Sequence, residues 1–360
     1  MASRDYANIL VTGGCGFVGS HIALRLRALY PHARVVAFDN FARAGSTLNR
    51  ERIQTEGIAV VEGDVRSREQ LDAYSPELII DCAAEPSVLA GRDGRPLYVT
   101  DVNLCGTLNC LELARKHHAD FVFLSSSRVY PIDAINNLAW EEEQTRFTLS
   151  EKQTTPGASS VGIAENFPLQ GVRTLYGATK LSSEFFVQEF IAAFGIRAVV
   201  NRCGVISGPW QFGKVDQGVV PLWIARHLFG GRLTYIGFDG KGKQVRDVLH
   251  IDDLCEAIAL QLDDFGAING EVFNLGGGLE NTISLLELTR LCNELAGTEI
   301  PIDSIPEERP GDIRLYITDN RRFSSRGWKP TKRVRETVKE TYEWMKENEK
   351  ILLPFFAPTV

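Results

Sequence analysis

Up to about residue 205, short β-branched apolar runs alternate with longer helix-like stretches. NILVTG, RVVAFDN, IAVVEGD, LIIDCAA, FVFLSSS and RAVVNRCG read as strands, with SHIALRLRALY and TLNCLELARKHH as helices among them. This alternation predicts βαβ units and a parallel sheet covered by helices on both faces. The strands are too uniformly apolar for a one-sided sheet. Beyond residue 205 the pattern loosens into glycine-rich loops, a strand at LTYIGF, and amphipathic helices at ISLLELTRLCNELA and RVRETVKETYEWMKENEK. The expectation is an α/β chain, with a doubly wound parallel sheet and a smaller C-terminal lobe. VRDVLHIDDLCEAIALQL and GEVFNLGGG, strand-like or helix-like, are expected to return to the sheet domain. The boundaries are then 1–205 and 245–277 for the sheet domain, and 206–244 and 278–360 for the lobe.

The composition, 44% hydrophobic and 24% charged over 360 residues, suits one large or two modest globular units. A net charge of −7, with both signs interspersed, offers no basic face for a nucleic acid. No window approaches the roughly 20 apolar residues of a membrane span. The opening MASRDYANILVTGG lacks the apolar region of a secretion signal, so a cytoplasmic location is expected. Seven cysteines include no CxxC pair, and His117 and His118 are adjacent without ligand spacing, so no metal is expected.

TGGCGFVGS places Gly13, Gly16 and Gly19 between the strand NILV and the helix SHIALRLRAL. Glycine there permits a tight turn, close backbone approach to a pyrophosphate and close helix–strand packing, while the helix N-terminus faces the phosphates. A glycine triplet alone also marks ordinary turns; the strand–helix context selects the dinucleotide reading. RVVAF ends at Asp39, about 20 residues beyond Gly19, where a carboxylate accepts both ribose hydroxyls and repels a 2′-phosphate. The prediction is a Rossmann-type site for NAD. Phe17 and Val18 in the glycine loop, Asn40 beside Asp39, and Arg43, a residue type able to accommodate a 2′-phosphate, complete this candidate group.

LYGATK sets Tyr176 and Lys180 four residues apart at the start of a helix, on one face. A free tyrosine has a pKa of about 10, and lowering it by about 3 units takes roughly 4 kcal/mol of differential stabilisation. A neighbouring ammonium and a positive nicotinamide supply stabilisation of that sign. FLSSSRVYP ends a strand with Ser125, Ser126 and Ser127.

The GxxGxxG spacing, the YxxxK pair and this strand end together resemble the extended short-chain dehydrogenase/reductase family, over nearly the whole chain. Alignment on the VY pair implies that Ser126 is the serine that hydrogen-bonds the reacting oxygen, with Ser125 and Ser127 as near alternatives and Ser125 also among the cofactor contacts. The resemblance further implies that Asp64 and Val65 of EGDVRS hold the adenine. Ala83 and Ala84 of DCAAEPS pass the cofactor, and Asn103 of NLCGTLN supports its site. It departs at Asp81, where many relatives carry histidine, and at Val205, where 4-epimerases place an asparagine.

Dehydratases of this family carry an Asp-Glu pair for eliminating water, and the related decarboxylases a glutamate; here the residues are Ser127-Arg128, which leaves a redox-neutral epimerase. Arg246 and Arg309 match positions that grip the substrate diphosphate, a task suited to planar guanidinium groups. The loop GPWQFGKVDQG, with Gln211, Asp216 and Gln217, and the long segment between Tyr130 and Tyr176 resemble the subfamily of CDP-paratose 2-epimerase. That resemblance implies inversion at C2 of a CDP-sugar through a keto intermediate, and a homodimer built through helices that include the one bearing Tyr176. A UDP-sugar 4-epimerase or another nucleotide-sugar modifying enzyme is the alternative within the family. An NAD-dependent reductase of a non-nucleotide substrate and a non-catalytic NAD-binding regulatory protein are readings from other classes. Intact Tyr176 and Lys180 oppose the last.

Overall fold

The structure, a computed structural model, describes residues 4–43, 45–92, 94–212 and 218–356. Seven strands form the main sheet: β1 (Asn8–Thr12), β2 (Arg34–Asp39), β3 (Ala59–Glu62), β4 (Leu78–Asp81), β5 (Asp120–Ser126), β6 (Ala198–Cys203) and β7 (Val272–Leu275). Their spatial order is β7-β6-β5-β4-β1-β2-β3. The pairings β1–β2, β2–β3, β1–β4 and β4–β5 are parallel. The order reverses at β1, and in open α/β sheets ligands bind at the carboxyl ends of the strands beside such a switch point. All seven residues of β5 are buried, as both-face coverage requires. Leu10, Val36, Phe38, Ile79, Phe121 and Val200 belong to one core cluster on this sheet.

Three helices position the candidate residues: α1 (Phe17–Leu29), α2 (Gly106–His117) and α3 (Leu175–Phe194). The Thr174 hydroxyl caps the start of α3, accepting from the Gly177 N–H at 3.2 Å, and Gly195 ends the helix in a left-handed conformation. A π-helical turn, Asp101–Cys105, leads into α2 and carries Asn103; such turns recur at functional sites.

The chain divides into two compact units. One takes the chain up to Val129, with Thr174–Arg202 and Leu254–Phe273; the other takes Tyr130–Arg173, Cys203–Asp253 and the chain from Asn274 onward. The segment 130–173, expected with the sheet, therefore groups with the second unit. Its hairpins pair Trp140–Glu142 with Phe147–Leu149 and Ala158–Ser159 with Gly162–Ile163, and Ile163 also bridges to Thr318.

In the second unit the expected strand appears as Leu233–Ile236, and the two amphipathic helices as Leu285–Ala296 and Val334–Glu347. A Ser284/Glu287 capping box starts the first of these. Of the two pieces expected to return to the sheet domain, Val272–Leu275 joins the main sheet as β7, and the helical part of the other, from Leu254, groups with the sheet unit. Val245–His250 instead pairs with Val205–Ser207, Thr282–Ser284 and Leu315–Tyr316. Its burial is as complete as that of a Rossmann strand, so hydrophobic pattern alone does not say which sheet it joins. No helix among the described residues is long and apolar enough to cross a membrane.

Candidate active site

At the carboxyl end of β1 the chain turns through Gly13, whose φ is +60°; a Cβ there would also lie 2.9 Å from the Ala83 backbone. Gly19, inside α1, is equally constrained: its Cβ would sit 2.2 Å from the Gly13 carbonyl oxygen. The glycines thus press α1 and the end of β4 against one turn. Phe17 and Val18 are the first residues of α1, and no side chain caps it at Gly16 and no acidic residue lies in its first turn. Its first amides are left for an anion.

Asp39, 8% exposed at the end of β2, accepts hydrogen bonds from the Cys15 N–H at 3.0 Å and the Phe41 N–H at 2.8 Å. Burial raises its pKa, and backbone donors from Phe41, Cys15 and Gly16 oppose the rise. A carboxylate offers about four acceptor sites, so capacity remains for a ribose hydroxyl. Arg43 is ion-paired with Glu85. A guanidinium so neutralised is a poor receptor for a 2′-phosphate. Asn40 donates to Asp64 at 3.0 Å, and Arg66 grips both Asp64 oxygens, holding that carboxyl down at about 2. Val65 is buried, and its carbonyl accepts from Asn109 at 2.9 Å.

Ala83 and Ala84 follow β4, and the Ala83 N–H donates to the Thr12 hydroxyl at 3.3 Å. Asn103, fully buried, accepts from the Glu85 N–H at 2.7 Å and donates to the Glu85 carbonyl and the Thr179 hydroxyl, both at 3.2 Å. It therefore shapes the strand-end loop. Asp81, 1% exposed, receives the Thr12 hydroxyl at 2.6 Å and the Thr107 hydroxyl at 2.8 Å. The carboxylate that departs from the family pattern ties β1 and α2 to β4.

Tyr176, Lys180 and Glu184 succeed each other at four-residue spacing on α3 and are 8%, 2% and 1% exposed. α3 packs against β5 and the turn after it. Lys180 Nζ donates to the Leu124 carbonyl at 2.8 Å and lies 4.6 Å from the Phe123 ring centroid. One turn on, Glu184 Oε1 accepts from the Ser125 hydroxyl at 2.5 Å, and Arg202 on β6 reaches Glu184 Oε2 through Nη2 at 2.7 Å. Ser125 is thereby committed to a buried ion pair. Ser126, the last residue of β5, accepts from the Arg128 N–H at 3.1 Å, and Ser127 starts the turn that follows. Glu184 and Arg202 escaped sequence reasoning; the four-residue spacing of Glu184 from Lys180 was the available signal.

In the second unit, Arg246 and Arg309 converge on one carboxylate, at 3.4 Å from Asp312 Oδ1 and 3.7 Å from Asp312 Oδ2. Gln211 folds back on the preceding strand, Val205–Ser207, donating to the Ile206 carbonyl at 3.0 Å and accepting from Ser207 at 2.8 Å. Asp216 and Gln217 lie outside the described residues. No cluster of metal-ligating side chains occurs among the described residues.

The profile of the NAD dependent epimerase/dehydratase family matches residues 9–276. The chain is 29% identical to the CDP-paratose 2-epimerase of Salmonella typhi over 93% of its own length and 98% of that protein. It is 28% identical to a dTDP-glucose 4,6-dehydratase of an Actinoplanes species over 94% of its length and 98% of that protein. Among solved structures, the Thermus thermophilus UDP-glucose 4-epimerase in complex with NAD is 26% identical, with a TM-score of 0.76, covering 94% of this chain and 99% of that one.

Proposed function

Because the chain belongs to the NAD dependent epimerase/dehydratase family, whose cofactor NAD suits the uncapped helix start and the Asp39 carboxylate, we propose that it inverts C2 of a CDP-activated sugar. The observation that carries the choice of inversion is the end of β5: Ser126 is followed by Ser127 and Arg128, which offer no carboxyl pair to take and give protons in an elimination. Likeness to a CDP-paratose 2-epimerase over nearly the full length supports C2 and CDP. Likeness to a UDP-glucose 4-epimerase supports C4 of a UDP-sugar as the second reading.

In this reading Tyr176 takes the proton from the C2 hydroxyl and returns one to the same oxygen after the 2-keto sugar has turned. Ser126 donates a hydrogen bond to that oxygen. Lys180, fixed by the Leu124 carbonyl, places a positive charge beside the phenolate. NAD, when bound, supplies the acceptor for the C2 hydride. It is held by the Gly13, Gly16 and Gly19 turn with Phe17 and Val18, by Asp39 and Asn40 at the ribose, by Asp64 and Val65 at the adenine, and by Ala83, Ala84 and Ser125 along the strand ends. Arg246 and Arg309 grip the substrate diphosphate, and Gln211 approaches the sugar.

The chain works as a homodimer through α3, a reading supported by Leu175, Phe185, Phe186 and Phe194, all large apolar residues left exposed on that helix. It works in the cytoplasm, which suits the thiols of Cys15, Cys105, Cys110 and Cys292. The test of substrate and carbon is a panel of CDP-, UDP- and dTDP-sugars incubated with the protein and followed by NMR at every ring carbon. Inversion at C2 of a CDP-sugar is expected. Inversion confined to C4 of a UDP-sugar overturns the reading in favour of the second.

A further inference from the structure

We infer that the ion pair between Arg43 and Glu85 is a clasp across the dinucleotide site, a gate that slows the arrival and the departure of NAD alike rather than a group that binds it. The inference rests on NAD as the cofactor and not on the choice of sugar or carbon.

β1 lies between β4 and β2 in the sheet, so the loops that leave those two strands flank the Gly13–Gly19 turn at its carboxyl end. Both press on that turn. On the β2 side the Gly14 N–H donates to the Phe38 carbonyl at 3.2 Å and the Cys15 N–H to Asp39 at 3.0 Å; on the β4 side the Ala83 backbone stands 2.9 Å from where a Gly13 Cβ would lie. Arg43 comes after Asp39, the end of β2, and Glu85 after Asp81, the end of β4. Their side chains nevertheless meet, Arg43 Nη2 on Glu85 Oε1, so the two loops are joined across the end of β1. In an open α/β sheet this is where the pyrophosphate of a dinucleotide lies. A cofactor there has to pass the joined loops to enter or to leave.

The two partners differ in what holds them. Glu85 is a fixed post: fully buried Asn103 accepts from its N–H at 2.7 Å and donates to its carbonyl at 3.2 Å, and Oε1 also accepts from the Ser87 N–H at 3.3 Å. Arg43 reaches that post on a long, flexible side chain. The two side chains are 29% and 19% exposed, so water screens the pair in part. A charge-assisted contact at such exposure favours the closed form over the open one by about three- to tenfold. Breaking it therefore speeds entry and exit by a common factor and leaves the equilibrium affinity near its original value.

The experiment loads the full chain with NADH, mixes it with excess NAD and follows NADH release by fluorescence, for the wild type, Arg43→Met, Glu85→Gln and the double variant; a fluorescence titration gives the affinity of each. Arg43→Met removes a positive charge beside the site and Glu85→Gln a negative one. A purely electrostatic effect on the dinucleotide phosphates sends these two variants in opposite directions, whereas an opened clasp sends them the same way. Release about three- to tenfold faster in both single variants, no faster in the double, with affinity within about threefold of the wild type, is the expected result. Glutamine keeps the acceptor for the Ser87 N–H, and Glu85→Asp, shorter but still charged, is a second way to part the pair and should also speed release. Faster release in Arg43→Met alone, or opposite shifts in the two single variants, assigns Arg43 to the phosphates and overturns the clasp. Unchanged release in every variant, a double variant faster by the product of the single effects, or an affinity loss beyond about threefold in both single variants overturns it as well.

Discussion

Replacing Glu184 by methionine should cost more than any substitution of similar size on the outer face of α3. Its side chain and that of Arg202 are 2% and 5% exposed, and the two share contacts of 2.7 to 3.1 Å. Removing one member leaves the other as an uncompensated buried charge, which costs about 3–5 kcal/mol. The Ser125 hydroxyl loses its acceptor as well, adding about 1 kcal/mol. Arg202→Met should cost a comparable amount, whereas the double variant, with two apolar side chains of similar volume, should fall within about 2 kcal/mol of the wild type. Urea unfolding of the four proteins, closed as a double-mutant cycle, measures this coupling. The singles should also lose turnover beyond their loss of folded protein, because Ser125 precedes Ser126 and Leu124 holds Lys180. Single variants each costing under about 1 kcal/mol, or a double variant costing the sum of both singles, would refute the reasoning.

Gly13→Ala should abolish NAD retention on purification, since it meets both a left-handed backbone and the Ala83 main chain at 2.9 Å; a variant that keeps stoichiometric NAD contradicts the assigned turn. Asp64 titrates at about 2, chiefly because of Arg66. A depressed carboxyl stabilises the fold above its unfolded pKa of about 3.9 and loses that contribution as pH falls through the folded value. The stability gap between wild type and Asp64→Asn in urea should therefore shrink from pH 5 to pH 2, and a gap independent of pH counts against it. Phe185→Glu with Phe186→Glu should give a monomer in sedimentation, because a paired α3 face does not tolerate two buried charges; a species of unchanged mass excludes that face as the interface.

Much of the nucleotide end was legible because its chemistry is local in sequence: one strand, one turn and one helix start put Gly13, Gly16 and Gly19 together, and β2 ends on Asp39. Tyr176 and Lys180 were legible for the same reason, as neighbours on one helix face. Partners distant in sequence were not. Glu184 meets Ser125 and Arg202, and Asp81 meets Thr12 and Thr107, only once the strands are ordered. The placement of VRDVLH with the sheet domain has the same root, since a buried strand carries no mark of its neighbours; only the helix after it, from Leu254, groups with that unit. Asp312 was hidden in plain view in RPGD, because nothing in the sequence says that both arginines reach one carboxylate.

Oxidation and re-reduction at C2 of the sugar within one site, as proposed, are tested by a CDP-sugar carrying deuterium at C2. A primary isotope effect on turnover and full retention of the label at C2 of the inverted product are expected, with Tyr176→Phe slower by at least about a thousandfold. Inversion with no isotope effect from C2 deuterium, or loss of the label to solvent, would contradict it.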